Sequence, residues 1–416
     1  MAPRSDAPVF DSFWMGGYEG ADHVNASGLP LDMARASGHL ERMDEDHAAA
    51  AAAGLRTVRE TIGWRLAEPS RGHFDFGRVV ATAQSARRHG LQVLWSLMHN
   101  GTPPDLSLFD DALVERFAAF AGAAARVLRT LHDRPPVYTL VNEIGFVAWA
   151  VSSTNRFHPY QGDPLRRGDS TEASGYAVKC RLVRAVLAGM AAVKAVDPRA
   201  RFLHVEPVIH VVAPPGRTEL VTMAEQIRAY QWQVWDLLSG RLEPALGGHP
   251  GALDLIGVKH HPAGQWEVLT ERRLAWRLDD PRRCPLASLL AEVWRRYHRP
   301  LIVAETGHFG SDRAEWLDEV AAEALRARAE GVPLKGVCLY PLVDHPDWDQ
   351  PGRWLHAGLW DVDPAAHLRR RLSSDCAAML AHWQQRMSEP SALLVEAGAL
   401  ERPAVSRLEH TGAGER

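Results

Sequence analysis

The 416 residues predict one closed barrel of eight alternating β/α units. Three observations point there: short apolar runs that finish on a charged residue or histidine, longer Ala-, Leu- and Arg-rich stretches of helical period between them, and eight such strand candidates. Length by itself suggests two or three domains of about 150 residues each, but barrels of this kind routinely exceed that size as one unit. The expected organisation is a single α/β domain, a (β/α)8 TIM barrel over 1–385. A C-terminal tail over 386–416 follows, expected to be partly disordered because its periodicity is weak and Pro, Gly and charge are scattered through it.

The strand candidates are Ser12 to Gly16, Leu55 to Glu60, Leu91 to His99, Val137 to Glu143, Arg201 to Glu206, Leu253 to His260, Pro300 to Glu305 and Val337 to Asp344. Between them the spacing predicts helices over His39 to Ala53, Phe76 to His89, Asp111 to Leu131, Thr171 to Val196, Glu219 to Leu238, Pro285 to Tyr297 and Arg313 to Glu330. Ala53-Gly54-Leu55 and His89-Gly90-Leu91 read as helix C-caps that feed the next strand. The segment from Ala148 to Asp169 is polar, carries Pro and Gly, and reads as a loop over the barrel mouth.

Composition narrows the function classes. Apolar residues are 46% and charged residues 24% of the chain, an ordinary globular balance with ample material for a core. A net charge of -4 and the lack of any Lys/Arg block give no electrostatic reason to expect nucleic acid or an anionic membrane as partner. The N-terminal MAPRSDAPVFDSFWMGG has no apolar h-region, and no stretch approaches the ~20 apolar residues of a membrane span, so a cytoplasmic protein is expected. Cys180, Cys284, Cys338 and Cys376 form no CxxC pair and are expected to be reduced. Trp is frequent, at 14 against 7 Tyr and 11 Phe; its faces suit sugar rings, but it also fills cores.

The chemistry sits at strand ends. Buried unpaired charge costs several kcal/mol, so an apolar strand that finishes on Asn142-Glu143 does not place that carboxylate there for stability. Glu305 repeats the arrangement about three strands further round, which lets the two meet across the C-terminal face of a barrel. Cleaving a glycosidic bond needs one group to protonate the leaving oxygen and one to attack or stabilise the sugar carbon, and two carboxylates of separated pKa do both. The competing structural account of either glutamate taken singly is a salt-bridged strand end.

These positions resemble glycoside hydrolase family 1, the β-glucosidase type, from about Phe13 to Trp348. Asp46, Gly54, Arg59, Ile62, Trp64 and Pro69 fall at the family's spacing; TLVNEIGF resembles its Asn-Glu-Pro motif with Ile144 for Pro; LIVAETG resembles its nucleophile strand with Thr306 for Asn. The resemblance implies Glu143 as acid/base, Glu305 as nucleophile, Asn142 as partner of the sugar 2-hydroxyl and His99 as a contact to the sugar at the cleavage point. In GVCLYPLVDHPDW, Tyr340 stands for a Trp and Trp348 is retained; in LDLIGVKHH, His260 and His261 occupy a Tyr pair and Lys259 an Asn; in FWMGGYEGAD, Glu19 is near a sugar-binding Gln. The reaction is therefore better specified than the sugar.

Within that frame Arg59 is expected to keep Glu305 ionised, and Glu143 to stay protonated beside that anion. The retaining arrangement predicts carboxyls ~5 Å apart. Glu206 also ends an apolar strand; it reads as a substrate-binding or pKa-tuning group, as a loop anchor, or as a rival acid, with His204 on its strand face. One of His260 and His261 is expected to contact sugar. Asp344, His345, Asp347 and Asp349 could suggest a metal, but consecutive loop acids are more often hydrogen-bonded, so neither metal nor cofactor is expected. Trp95, Trp149, Trp266, Trp348 and Trp354 are the stacking candidates, with Trp149 and Trp348 favoured because they follow strand ends and Trp95 read as core. The expected partner is a small glycoside or oligosaccharide. A different sugar, or a silent carbohydrate-binding barrel, are the alternatives, and oligomeric state is left open.

Overall fold

Eight parallel strands close on themselves in a computed structural model that describes residues 8–160, 175–278 and 280–388. They are β1 (Trp14–Gly17), β2 (Thr57–Thr61), β3 (Gln92–Met98), β4 (Val137–Val141), β5 (Arg201–Pro207), β6 (Leu255–Lys259), β7 (Leu301–Thr306) and β8 (Leu334–Leu339). Each pairs with its neighbours in chain order, and β1 closes the ring between β2 and β8. Every expected strand is present. β4 and β8 stop short of the expected Glu143 and Asp344, so Asn142, Glu143 and the Tyr340 segment lie just past the ladder.

The strands are apolar on both faces because both are covered. Met15, Leu94, Val137, Leu203, Val205, Leu255, Ile302, Ala304 and Cys338 fill the barrel interior. Val58, Trp95, Tyr138, Phe202, Ile256, Val303 and Val337 point the other way, into the layer beneath the helices. Those helices are α1 (His39–Ala52), α2 (Gly77–Arg88), α3 (Leu113–Arg129), α4 (Ile144–Ser153), α5 (Gly175–Val196), α6 (Val221–Ala229), α7 (Gln233–Leu238), α8 (Leu286–Tyr297), α9 (Arg313–Ala329) and α10 (Ser374–Ser388). Close α3–α5 packing uses a small residue: a Cβ on Gly189 would come 3.1 Å from the Phe117 ring. At Gly54 φ is +81°, and Leu55 N–H closes back onto Ala50 O, the C-cap that turns α1 into β2.

Two expectations are corrected. The loop expected over Ala148 to Asp169 begins inside helix α4, whose Ile144, Val147, Ala148 and Val151 are buried. Their i, i+3, i+4, i+7 spacing was a helical stripe, and it outweighs the Gly and Ser around it. The remainder of that segment, from 161, lies outside the described residues, as do 171–174 of the helix expected over Thr171 to Val196 and the tail from 389. The single helix expected over Glu219 to Leu238 is broken, because 3-10 turns at Thr218–Leu220 and Tyr230–Trp232 flank α6. The second turn lets Trp232 and Trp235 both reach Tyr297 of α8, with ring centroids 6.3 and 5.5 Å away.

Small sheets decorate the barrel: His210–Val212 pairs with Gln265–Glu267, and Trp360–Asp363 with Arg369–Leu372. No helix among the described residues is long and apolar enough to cross a membrane.

Candidate active site

At the C-terminal end of the barrel, register sets which side chains meet. Lys259 of β6 pairs with Glu305 of β7, so both emerge at one level of the mouth. Arg59 of β2 reaches the same place from the far wall: its Nη1 donates to Glu305 Oε1 at 2.8 Å and to Ala304 O at 2.8 Å. Its Nη2 donates to Asn142 Oδ1 at 3.0 Å, and Asn142 Nδ2 donates to Glu305 Oε1 at 3.1 Å. The planar guanidinium thereby fixes Asn142 and Glu305 against each other, a geometry a point charge does not supply.

Glu143 follows β4 in the left-handed region, φ 52° and ψ 60°, where a non-glycine residue costs on the order of 1 kcal/mol or more. Such strain persists where the surroundings enforce it. Here Glu143 N–H donates to Val205 O at 3.0 Å, and its carbonyl accepts the Val147 N–H at 2.9 Å to open α4. Its carboxylate Oε2 accepts from Lys259 Nζ at 2.7 Å, and the same ammonium stands 3.5 Å from Glu305 Oε2. Both glutamates are buried, and Lys259 is partly so.

The two carboxyls differ in ionisation. Burial pushes Glu143 up to about 7, with Lys259 opposing the rise and Glu305 adding to it. Burial works the same way on Glu305, but Lys259 and Arg59 together hold it well below the usual carboxylate range. Lys259 sits above the ordinary lysine range because, against burial, both glutamates favour its charge. One group is thus an anion at neutral pH and the other is poised to exchange a proton, the separation that acid/base chemistry requires.

The remaining predicted residues divide. Glu19 and His99 are buried at the mouth; Glu19 Oε1 accepts from Ala21 N–H at 2.8 Å, and His99 feels the charges of Glu19 and Glu305. The Tyr340 ring lies 5.9 Å from the Arg59 guanidinium and enters because Gly17 has no Cβ, which would otherwise stand 2.4 Å from the ring. Trp348 packs on His23 with centroids 4.9 Å apart and is linked through Asn25 Nδ2 to its carbonyl. Trp149 is exposed on α4, 5.8 Å from Phe146, whereas Trp95 is buried in the helix layer.

His260 is corrected. It points outward between Lys259 and His261, stacked on Trp316 of α9 at 5.2 Å and 21°, because successive strand-end residues alternate faces. His261 turns back, with Nδ1 3.0 Å from Gly307 O. Glu206 accepts the Gly145 N–H at 2.9 Å and so anchors the first turn of α4; burial pushes it up to about 8. The Gly145 contact favours the anchoring role, and the neighbouring Glu143 adds to the rise while Lys179 opposes it. The loop acids do not converge on one point: Asp347 accepts the Asp349 and Gln350 N–H groups, and Asp349 the Ala26 N–H.

Three groups at the mouth escaped the sequence reading. Lys259 was legible as a strand-end residue, but its place between the glutamates comes from the β6–β7 register. Asn100, beside His99, has both side-chain polar atoms buried without a hydrogen-bond partner among the described residues, and so has His23 at Nδ1.

A closed ring of eight parallel strands with carboxylates presented from the fourth and seventh defines a (β/α)8 barrel with a two-carboxylate mouth. Its fold is shared with β-glucosidases. The chain is similar to β-glycosidase BGL167 (19% identity, TM-score 0.68, covering 94% of this chain and 97% of that one). It is also similar to the AHE enzyme from Alicyclobacillus herbarius (16%, 0.71, covering 92% and 100%). A third likeness is to the β-glucosidase from Thermotoga maritima solved with glucoimidazole (15%, 0.70, covering 91% and 99%). No family model and no curated protein matches the sequence.

Proposed function

We propose that this chain is a retaining β-glycosidase, a divergent member of glycoside hydrolase family 1, that hydrolyses a small β-glucoside or related glycoside. One observation carries the reading: Glu143 and Glu305 share the Lys259 ammonium at 2.7 and 3.5 Å, so those two oxygens are at most about 6.2 Å apart. Retaining pairs stand roughly 5–5.5 Å apart and inverting pairs roughly 6.5–9.5 Å. A nearest-oxygen limit of that size accommodates the retaining spacing.

In the first step Glu305 attacks the anomeric carbon, the bond to the leaving oxygen breaks, and the Glu143 proton passes to that oxygen. Asn142, already bonded to Glu305, is placed for the neighbouring sugar hydroxyl. Once Glu305 is an ester its charge is gone, and Lys259 then acts on Glu143 without that opposing anion. Glu143, its proton given up and its pKa lowered, is held as the carboxylate; it takes a proton from water, and the water oxygen displaces Glu305 from the sugar.

A second reading rests on the same lysine. An ion pair at 2.7 Å favours ionised Glu143, which donates no proton, and this supports a barrel that binds carbohydrate without turnover. Lys259, His261 and Tyr340 at ring-holding positions equally support another sugar, such as a mannoside, galactoside or oligosaccharide. The test is Glu305→Gly on a panel of activated aryl glycosides. Loss of hydrolysis with azide rescue to an α-glycosyl azide supports the retaining reading, and the best substrate of the panel identifies the sugar. A folded variant without rescue overturns the nucleophile assignment, and calorimetric sugar binding by the wild type without turnover establishes the silent barrel.

A further inference from the structure

On the outer side of β2, away from the carboxylate pair, a second polar cluster is buried between strand and helices. Arg59 points into the barrel, so Glu60 points out toward α1 and α2. His39 and His47 lie one heptad plus one residue apart on α1, on its buried face. Their Nε2 atoms lie 3.1 and 2.8 Å from the same atom, Glu60 Oε1. All three side chains are buried, and their potential ligand atoms lie within 4.8 Å of one another.

The far nitrogens decide where the protons are. His39 Nδ1 faces Asp46 Oδ2 at 2.8 Å, and Arg370 holds that carboxylate with two N–H donors, each at 2.8 Å. An ionised carboxylate only accepts, so His39 carries its hydrogen on Nδ1. His47 Nδ1 lies 2.9 Å from Ser85 Oγ, and that hydroxyl in turn lies 3.1 Å from Asp44 Oδ1. With the Ser85 hydroxyl donating to Asp44, His47 Nδ1 is a donor as well. Both Nε2 lone pairs then face one carboxylate oxygen. Protons on both Nε2 atoms would place two buried imidazolium rings within 4.8 Å of each other beside Glu60, whereas a single cation among the three atoms satisfies the same lone pairs. The first arrangement costs several kcal/mol in desolvation.

We propose that His39, His47 and Glu60 form a structural site for a divalent metal ion of the zinc type, oriented by Asp46 and Ser85. Two imidazoles and a carboxylate suit Zn2+, and since ligands about 2.1 Å from a tetrahedral ion stand roughly 3.4 Å apart, the Nε2–Oε1 separations of 3.1 and 2.8 Å need open only by a few tenths of an ångström to admit it. The Asp46–His39 and Ser85–His47 contacts are the outer hydrogen bonds that fix ligand tautomer and ring orientation. Tyr18 stacks on the His39 ring at 3.9 Å and 12°, which fixes its plane. The site lies next to Arg59 on β2, so the ion braces the strand that positions Glu305. It departs from the sequence reading, in which no metal was expected, because the ligands come from separate elements without a spacing motif.

Because the cluster is closed to solvent, the ion enters as the chain folds. The full chain is unfolded with a chelator, refolded with or without one equivalent of zinc chloride, passed over a chelating resin and assayed for zinc and Tm. Close to one zinc per chain and a raised Tm are expected; His47→Gln and Glu60→Gln each lower retained zinc by about tenfold or more and abolish the zinc-dependent Tm difference. Wild-type protein that retains no zinc overturns the site, as does equal retention by both variants, which marks ions on surface histidines. Should the variants fail to refold, cobalt(II) refolded into the wild type decides: the visible absorption of four-coordinate cobalt supports the site, and its absence overturns it.

Discussion

The Lys259 ammonium lies 2.7 Å from Glu143 Oε2 and 3.5 Å from Glu305 Oε2, so one cation on β6 ties together the carboxylates presented after β4 and on β7. Lys259→Met leaves two buried carboxylates facing each other. Breaking such a pair by removing one partner costs about 3–5 kcal/mol, read as a lowered Tm. The Glu143 pKa rises further once its cation is gone, and the first step needs Glu143 protonated. The alkaline limb of kcat/KM for an aryl glycoside therefore moves to higher pH, and Lys259→Arg moves it back. An unchanged limb in a folded Met variant would separate Lys259 from the ionisation of Glu143.

Arg59 acts through its contacts as well as its charge. Its two Nη atoms reach Ala304 O, Glu305, Asn142 and Ser96 Oγ at 2.8, 2.8, 3.0 and 3.3 Å. A lysine at 59 keeps the positive charge and loses the fork that fixes Asn142 to Glu305. Arg59→Lys is expected to lower kcat by about a hundredfold, roughly 3 kcal/mol, with a smaller change in KM. A loss confined to KM would assign Arg59 to substrate binding instead.

What the sequence made legible follows from what is local. Each strand announced itself because burial on both faces demands an unbroken apolar run, and the charged strand ends stood out against that background. Glu143 and Glu305 could be paired because parallel strands in a barrel all end on one face, and the family resemblance added Asn142 and Arg59. Three things were not legible. The face chosen by each of Lys259, His260 and His261 depends on where the β6 ladder stops, and a one-residue difference exchanges inside for outside. Helix α4 was hidden because its apolar stripe begins immediately after the catalytic-type Asn-Glu pair. The Glu60 cluster joins two helix residues to a strand residue, and such contacts have no sequence spacing to read.

His260 provides a direct test of that exchanged face. Its ring stacks on Trp316, and its Nδ1 is buried without a hydrogen-bond partner among the described residues. His260→Phe preserves the stack and removes an unsatisfied polar atom, so kcat and KM are expected to stay within about twofold of wild type while Tm rises. Burial pushes the His260 pKa down to about 3 from 6.5, so the unfolded chain binds a proton there that the folded one excludes. The Tm gain therefore grows as pH falls below 6.5. A loss of sugar affinity beyond about tenfold would return His260 to the pocket.

Stability against pH is expected to peak near pH 6, because two sets of buried groups oppose each other. Burial lowers His23 and His260 to about 3 and His204 and His261 to about 4, so at acid pH protons bind the unfolded chain and stability falls below 6.5. Burial raises Asp22 and Glu143 to about 7 and Glu206 to about 8. For these the folded chain holds protons that the unfolded one releases above about 4 to 4.5, so stability falls as pH rises toward 7 to 8 and levels off beyond. Where the histidine contribution fades and the carboxyl loss persists, the curve turns over. Glu206→Gln keeps an acceptor for the Gly145 N–H and removes one carboxyl, so it should flatten the alkaline side and leave the acid side in place. A wild-type Tm that climbs steadily from pH 5 to pH 8 would mean that these carboxyls are ionised and solvated in the folded chain, and with that the proton-donor assignment of Glu143 would lose its physical basis.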